Sequence, residues 1–215
     1  AAERRRLFAL LPADETTFDG DFDKLCALRS ERGLAVPEQD DASVRELHKA
    51  LIELTVTMPL GDLIDIGAGR GRLLKLLGSR AQRAVGVDVD ADARQLARAE
   101  LLLARIENCS LRHGDMYELP FADGEFDTVI LDDVLNDSNR PMVAIAEASR
   151  IMKPGGRLLL LSRVADGRTD ALRKQLAVWC GAAGLRLSQP RHIPTKDPQW
   201  LLAVGSVADR ESAAA

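Results

Sequence analysis

Residues 63–74 read LIDIGAGRGRLL, and this stretch decides the fold. Its apolar beginning predicts a short buried strand, and the leucine-rich continuation predicts a helix that ends near Gly78. Between the two lies a glycine-rich turn. Glycine is required where the backbone turns tightly or where a ligand approaches the main chain closely. The order strand, glycine turn, helix therefore predicts a ligand site at Asp65, Gly67, Ala68 and Gly69.

The alternation of predicted strands and helices continues along the chain. Apolar stretches predict further strands, and helices of 10–17 residues alternate with strands along the chain. Such alternation indicates βαβ units, and strands that are apolar nearly throughout are typical of a parallel sheet covered on both faces. The long helix over residues 90–106 is expected to be capped by Asp92. The further strands are expected at 83–89, 109–115, 126–133, 157–164, 185–192 and 197–207.

A second acidic residue stands where the next strand ends. Asp88 follows Gly71 by seventeen residues and closes the stretch AVGVD. A carboxylate at this point can accept hydrogen bonds from both ribose hydroxyls of a nucleoside, and each charge-assisted bond contributes about 1.5–3 kcal/mol. The pair of features inside a βαβ unit is far more specific than the glycines alone, and it predicts a nucleoside site across the carboxyl ends of the first two strands.

Two details distinguish between nucleoside ligands. A dinucleotide fingerprint requires a third glycine at position 72, where this chain has Arg72. Asp65 stands two residues before the first glycine, and its carboxylate would repel a pyrophosphate but attract a cationic amino or sulfonium group. S-adenosylmethionine carries both cationic groups and no phosphate, so we expect it rather than NAD.

With these motifs in place, the chain resembles class I S-adenosylmethionine-dependent methyltransferases. The stretches that carry the resemblance are LIDIGAGRGRLL, AVGVDVDADARQLARAE, LRHGDMYELPFADGEFDTVIL and ASRIMKPGGRLLL, within residues 60–165. The resemblance implies an α/β Rossmann-like fold: a seven-stranded, mostly parallel sheet with helices on both faces and an antiparallel last strand. Small-molecule methyltransferases, such as the ubiquinone and menaquinone C-methyltransferases, are the most similar in layout. So is the methyltransferase half of winged-helix fusion proteins, which would make this chain an excised domain.

The resemblance also implies roles by position. Asp65 resembles the acid near the methionine amino group, and Gly67, Ala68 and Gly69 form the turn that lines this part of the ligand. The remaining positions carry the rest of the expected donor site. They are the ribose acid Asp88, its neighbour Val89 beside the adenine, Asp115 and Met116 at the adenine amino group, and Leu131 and Asp132 near the methionine and the acceptor.

Three functions remain open at this point: a methyltransferase acting on a small molecule, a non-catalytic S-adenosylmethionine-binding or sensing domain of a regulator, and, least favoured, an NAD-dependent oxidoreductase. No catalytic residue is assigned. Asp132, Asp133 and His113 are the weak candidates for a general base. The stretch after the fourth strand, DDVLND, lacks the histidines and aromatic residues that relatives often carry there, so the acceptor stays unknown.

Composition bounds the remaining properties. The 29 basic and 33 acidic residues give a net charge of -4, which argues against a nucleic-acid partner. Cys26, Cys109 and Cys180 are isolated, which argues against disulfides and a metal site and favours the cytoplasm. No apolar run is long enough to cross a membrane. A homodimer is left open. We expect the chain to consist of a helical segment or lid over 1–58, an S-adenosylmethionine-binding methyltransferase domain over 59–207 and a disordered tail over 208–215.

Overall fold

The computed structural model describes residues 42–164, 168–194 and 199–207. Most of the segment 1–58 and all of the tail 208–215 lie outside this part of the chain, so the expected lid, tail and domain limits stay predictions. The chain divides into two compact units, Ala1–Asp115 and Met116–Ala215.

The first unit holds a parallel three-stranded arrangement with β2 between β1 and β3. In the register of these strands, Asp65 lies opposite Gly86 and Asp88 lies opposite His113. The carboxyl end of β2 therefore adjoins the last residue of β3. The elements are α1 (Ala42–Val56), β1 (Asp62–Ile66), α2 (Arg72–Leu77), a 3-10 turn (Gly78–Arg80), β2 (Arg83–Asp88), α3 (Ala91–Leu103) and β3 (Cys109–His113).

Burial explains why β1 and β2 form strands. The last four residues of β1 and the middle four of β2 are buried, so neither strand has a solvent-facing side. Apolar residues on both sides of a strand require cover on both faces, as in parallel sheets. Asp65 is the one acidic residue among the buried positions of these two strands, and it is 1% exposed.

The second unit contains parallel and antiparallel pairs. Strand β4 pairs parallel with β5, and β8 runs antiparallel to β5, so the expected antiparallel last strand is confirmed. The short strands β6 and β7 both pair antiparallel with β8. The elements are β4 (Phe126–Asp132), α4 (Pro141–Ile151), β5 (Met152–Arg163), α5 (Thr169–Ala182), β6 (Leu185–Leu187), β7 (Arg191–Ile193) and β8 (Trp200–Val207).

Two local expectations were wrong. The segment 185–192 was expected to be one strand, but it divides at Ser188–Pro190 into β6 and the start of β7, which gives eight strands in the described residues. A proline has no N–H for a strand pairing. The cap of α3 is Asp90, whose carboxylate accepts from the N–H groups of Asp92 and Ala93. The expected helix end near Gly78 is confirmed: α2 stops at Leu77, and Gly78 is its C-cap in a right-handed conformation.

Candidate functional site

The glycine turn after β1 is fastened to the neighbouring strand. The N–H groups of Gly67 and Ala68 both donate to the carbonyl of Val87, at 2.8 and 2.9 Å, and the N–H of Gly71 donates to the carbonyl of Ala68 at 2.8 Å. Gly67, Gly69 and Gly71 all have positive φ angles, of 74°, 52° and 74°. Because side chains disfavour this conformation, the sequence can form the turn only with residues such as glycine at these places.

Gly69 and Gly71 serve different physical purposes. A Cβ atom at Gly71 would come within 3.1 Å of the Ala97 Cβ, so this glycine permits α2 to begin close against α3. A Cβ atom at Gly69 would have no atom within 4 Å. The main chain at Gly69 therefore borders open space, as expected where a ligand approaches the backbone.

The carboxylate of Asp88 is held on both oxygens. Oδ2 accepts from the N–H of Gly69 at 2.8 Å, and Oδ1 accepts from the N–H of Asp90 at 2.9 Å. The side chain is partly exposed at the end of β2. A carboxylate has about four lone-pair positions, so each oxygen keeps one for a further donor. Asp88 thus links the glycine turn to the end of β2 and presents two acceptors to solvent.

The other expected site residues of the first unit lie at the same carboxyl ends. Asp65 is buried in β1, directly before the turn. Val89 follows Asp88 and is 62% exposed. Asp115 is exposed, two residues beyond the end of β3. Asp65 and Gly67–Gly69 thus lie at the end of β1, Asp88 and Val89 lie at the end of β2, and Asp115 lies beyond the end of β3.

The second unit holds the remaining expected positions. Met116 is half-buried at the start of this unit. Leu131 is fully buried in β4, so any contact with a ligand would have to come from its main chain. Asp132 is half-buried at the end of β4 and lies opposite Leu161.

Asp133 has a structural role that the sequence did not reveal. Its φ of 58° is left-handed, although it is not glycine. Oδ1 accepts from the Arg163 N–H and from the Asn136 side-chain amide, both at 2.8 Å, and Oδ2 pairs with the Arg163 guanidinium at 3.2 Å. The main-chain N–H donates to Leu161 at 2.8 Å. The carboxylate is therefore engaged in holding the turn, which weakens Asp133 as a candidate general base.

The hydrogen-bond acceptors and the charge of the first unit fit a cationic nucleoside. Two acceptor positions on Asp88 suit a pair of hydroxyl donors, and the open main chain at Gly69 leaves room for a ligand. The buried carboxylate of Asp65 would oppose a pyrophosphate. Arg72, which replaces the third glycine of a dinucleotide fingerprint, bonds instead to His48 Nε2 at 3.2 Å.

The described residues contain neither a metal-binding cluster nor a membrane-spanning helix. No cluster of three or more His, Cys, Asp or Glu side chains there has an arrangement that would hold a metal ion. None of the helices in those ranges has the length and apolar character that a membrane span requires.

Comparison with known proteins identifies the domain. Residues 64–160, which include the glycine turn, Asp88 and β4, match the family described as a methyltransferase domain. Residues 64–160 form a methyltransferase domain. The resemblance to methyltransferases drawn from the four motifs is thereby confirmed.

Curated methyltransferases resemble part of the chain. An arsenite methyltransferase of Aquipseudomonas alcaligenes is 36% identical over 124 residues, which cover 52% of this chain and 36% of that protein. A ubiquinone/menaquinone biosynthesis C-methyltransferase of Dinoroseobacter shibae is 36% identical over 105 residues, which cover 46% of this chain and 41% of that protein. The chain thus spans less than half the length of these two relatives.

Solved structures confirm the fold class. The 1,6-didemethyltoxoflavin-N1-methyltransferase of Burkholderia thailandensis has a TM-score of 0.66 at 19% identity, covering 87% of this chain and 86% of that one. An S-adenosylmethionine-dependent methyltransferase of Aquifex aeolicus has a TM-score of 0.64 at 18% identity, covering 87% of this chain and 99% of that one. At these identities the likeness concerns the fold, which is the Rossmann-like α/β fold expected from the sequence.

Proposed function

We propose that this domain transfers a methyl group from S-adenosylmethionine to a small-molecule acceptor. The observation that carries the proposal is the Asp88 carboxylate, held by the Gly69 and Asp90 N–H groups while one acceptor position on each oxygen stays available. Those positions suit the two ribose hydroxyls of the donor. The residues proposed to hold the donor are Asp65, Gly67, Ala68, Gly69, Asp88, Val89, Asp115, Met116, Leu131 and Asp132.

Each group in this set has a chemical reason. Asp65 attracts the amino group of the methionine moiety, and the open main chain at Gly69 lets that moiety approach. Val89 offers an exposed apolar side chain for the face of the adenine. Asp115 accepts from the adenine amino group, and Met116 packs beside the ring. Because the Leu131 side chain is buried, Leu131 contributes its main chain, and Asp132 lies at the acceptor side.

The bound donor supplies a methyl group on a positively charged sulfur, which is already a good leaving group. The protein's task is then to place the nucleophile and to exclude water. A general base is needed only where the acceptor must lose a proton. Asp132 and the exposed His113 remain candidates for that role, whereas Asp133 is bonded to Arg163 and Asn136.

Two cysteines give little support to a metalloid acceptor like the one named for the Aquipseudomonas relative. Burial raises the pKa of the Cys109 and Cys180 thiols to about 11, so both stay protonated at neutral pH. Buried thiols with raised pKa values are poorly reactive, and metal ligation requires the thiolate. We therefore favour an organic small molecule as the acceptor. The free state of these two thiols also supports the cytoplasm as the compartment. A homodimer and the origin of the chain from a winged-helix fusion stay predictions.

A non-catalytic sensing domain is the second candidate. It is favoured by the exit of β4, where the Asp133 carboxylate is engaged in structure and residues 132–137 contain no histidine or aromatic side chain. Such a domain would bind the donor and transfer nothing.

Incubation with radiolabelled S-adenosylmethionine and a small-molecule cell extract separates the two candidates. We expect label in an extracted compound with the wild-type protein and none with Asp65→Ala, which removes the acid proposed to hold the methionine end. Tight donor binding without transfer to any component would favour the sensor. Absence of donor binding would refute both candidates.

A further inference from the structure

Arg94 is a buried cation close to the proposed donor site. It belongs to the second turn of α3 and is 7% exposed, although arginine side chains are mostly exposed in proteins. Its Nη1 donates to the main-chain carbonyl of Asp88 at 2.8 Å. Within the described residues, no carboxylate lies at ion-pair distance from this guanidinium. A buried charge without a counter-ion is costly. A protein with an apolar side chain of similar volume at such a position is often at least as stable. Stability alone therefore does not explain Arg94.

The carbonyl that Arg94 binds is weakly held otherwise. Asp88 is the last residue of β2, and the N–H of Gly114 reaches its carbonyl at 3.3 Å, which is long for a hydrogen bond between strands. The Arg94 bond is 0.5 Å shorter (3.3 against 2.8 Å) and comes from a charged donor. Arg94 is thus the stronger restraint on the peptide that joins Asp88 to Val89.

The same short segment also holds the Asp88 carboxylate. The Asp90 N–H donates to Asp88 Oδ1 at 2.9 Å, and the Arg94 N–H donates to the Asp90 carbonyl at 3.1 Å. Asp90 also caps α3. The segment Asp88–Arg94 is therefore closed at both ends: Arg94 fixes the main chain of Asp88, and Asp90 and Gly69 fix its carboxylate.

We propose that Arg94 is a positioning residue of the donor site, whose guanidinium fixes the Asp88 peptide so that the Asp88 carboxylate faces the ribose. The proposal rests on the proposed donor site. It assigns Arg94 no contact with the ligand. Since Asp88 is the last residue of β2, loss of this bond would leave its carbonyl with only the longer bond from Gly114, and donor binding would then have to order the peptide.

Arg98 provides a matched control. It lies one turn further along α3, is 5% exposed, and its Nη2 donates to the carbonyl of Leu111 at 2.8 Å. Leu111 lies within β3, two residues before its end and away from Asp88 in the strand register, where Leu111 lies opposite Gly86. Arg98 thus resembles Arg94 in its burial and in its bond to a main-chain carbonyl, but it makes no bond to Asp88.

The test measures donor affinity by calorimetry and the melting temperature for the wild type, Arg94→Met, Arg94→Lys and Arg98→Met. For Arg94→Met we expect a dissociation constant for S-adenosylmethionine about tenfold higher, with an unchanged or higher melting temperature. A purely structural role would instead lower the melting temperature. Arg94→Lys, which keeps a charged donor, is expected to stay within about threefold of the wild type, and Arg98→Met within about twofold.

Other outcomes would overturn the proposal. An Arg94→Met protein that binds the donor as tightly as the wild type does would show that the carbonyl bond is irrelevant to the site. Equal losses of affinity in Arg94→Met and Arg98→Met would show a general effect of emptying the α3 packing. If Arg94→Met does not fold, Arg94→Lys decides, and loss of its affinity at an unchanged melting temperature would contradict the proposed role. A wild-type protein that does not bind the donor would instead refute the proposed function.

Discussion

Replacing Asp88 by asparagine tests the proposed hydrogen bonding of the Asp88 carboxylate, because an amide cannot accept from both of its backbone partners. Both carboxylate oxygens accept from backbone N–H groups, of Gly69 at 2.8 Å and of Asp90 at 2.9 Å. An asparagine has one acceptor oxygen and one donor NH2 group. Whichever way the amide is turned, its NH2 must face one of these two N–H groups.

The magnitude follows from this count. Asp88→Asn removes one charge-assisted hydrogen bond and sets two donors against each other, and each such bond contributes about 1.5–3 kcal/mol. Because Asp88 is partly exposed, water offsets part of the loss, and we expect the free energy of unfolding to fall by about 1–2 kcal/mol. Donor binding also loses an acceptor for a ribose hydroxyl, so the dissociation constant is expected to rise by about 30-fold, or about 2 kcal/mol.

Asp90→Asn is the matched control for the assay. Asp90 uses the single oxygen Oδ1 to accept from both Asp92 and Ala93, so an asparagine keeps both cap bonds. Urea unfolding and calorimetric titration with S-adenosylmethionine are measured on both variants. We expect Asp90→Asn to stay within about 0.5 kcal/mol of the wild type in both. An Asp88→Asn protein as stable as the wild type and with the same affinity for the donor would refute this prediction. Equal losses of stability and of donor affinity in Asp88→Asn and Asp90→Asn would refute it as well.

Three further predictions concern stability. Gly71→Val should lower the free energy of unfolding in urea by about 2–4 kcal/mol, because φ is 74° and a Cβ would lie 3.1 Å from Ala97; an unchanged value would contradict the packing argument. Asp133→Asn should cost less than about 1 kcal/mol and Asp133→Val more than about 2 kcal/mol in the same assay, because asparagine tolerates the left-handed conformation and keeps the Oδ1 bonds; equal losses would refute this. The pKa of the Cys109 and Cys180 thiols is about 11 in the folded state, against an ordinary value of 9.0. The contribution of these buried thiols to the free energy of unfolding should therefore be complete below pH 9 and be lost as the pH rises towards 11. A Cys109→Ala/Cys180→Ala variant whose stability has the same pH dependence as the wild type would contradict this.

The strands of the first unit could be predicted because their apolar runs and glycine turn are local signals. Asp65 and Asp88 end up on adjacent strands because β1 and β2 pair in parallel, which the βαβ pattern implies. The cap of α3 could not be predicted as firmly, since Asp90 and Asp92 are equally suitable by type. Gly78 does cap the end of α2, but its right-handed conformation does not require glycine; a Cβ there would overlap the Cys109 sulfur, a contact between distant parts of the sequence.

The features that the sequence hid depend on tertiary contacts. The left-handed Asp133 is held by Arg163, thirty residues away, and no local pattern announces this bond. Arg94 did leave a signal, because it lies four residues before Arg98 and seven before Leu101 on the buried side of α3. A charged residue on an apolar stripe indicates a specific partner, but the partner, the Asp88 carbonyl, follows only from the structure.

A crystal structure of the protein with S-adenosylhomocysteine, the stable product of the donor, would examine the site itself. We expect the adenosine along the carboxyl ends of β1–β3, with both ribose hydroxyls within hydrogen-bonding distance of the Asp88 oxygens and the amino group of the homocysteine directed towards Asp65. A ligand found elsewhere, or one whose ribose makes no contact with Asp88, would contradict the account.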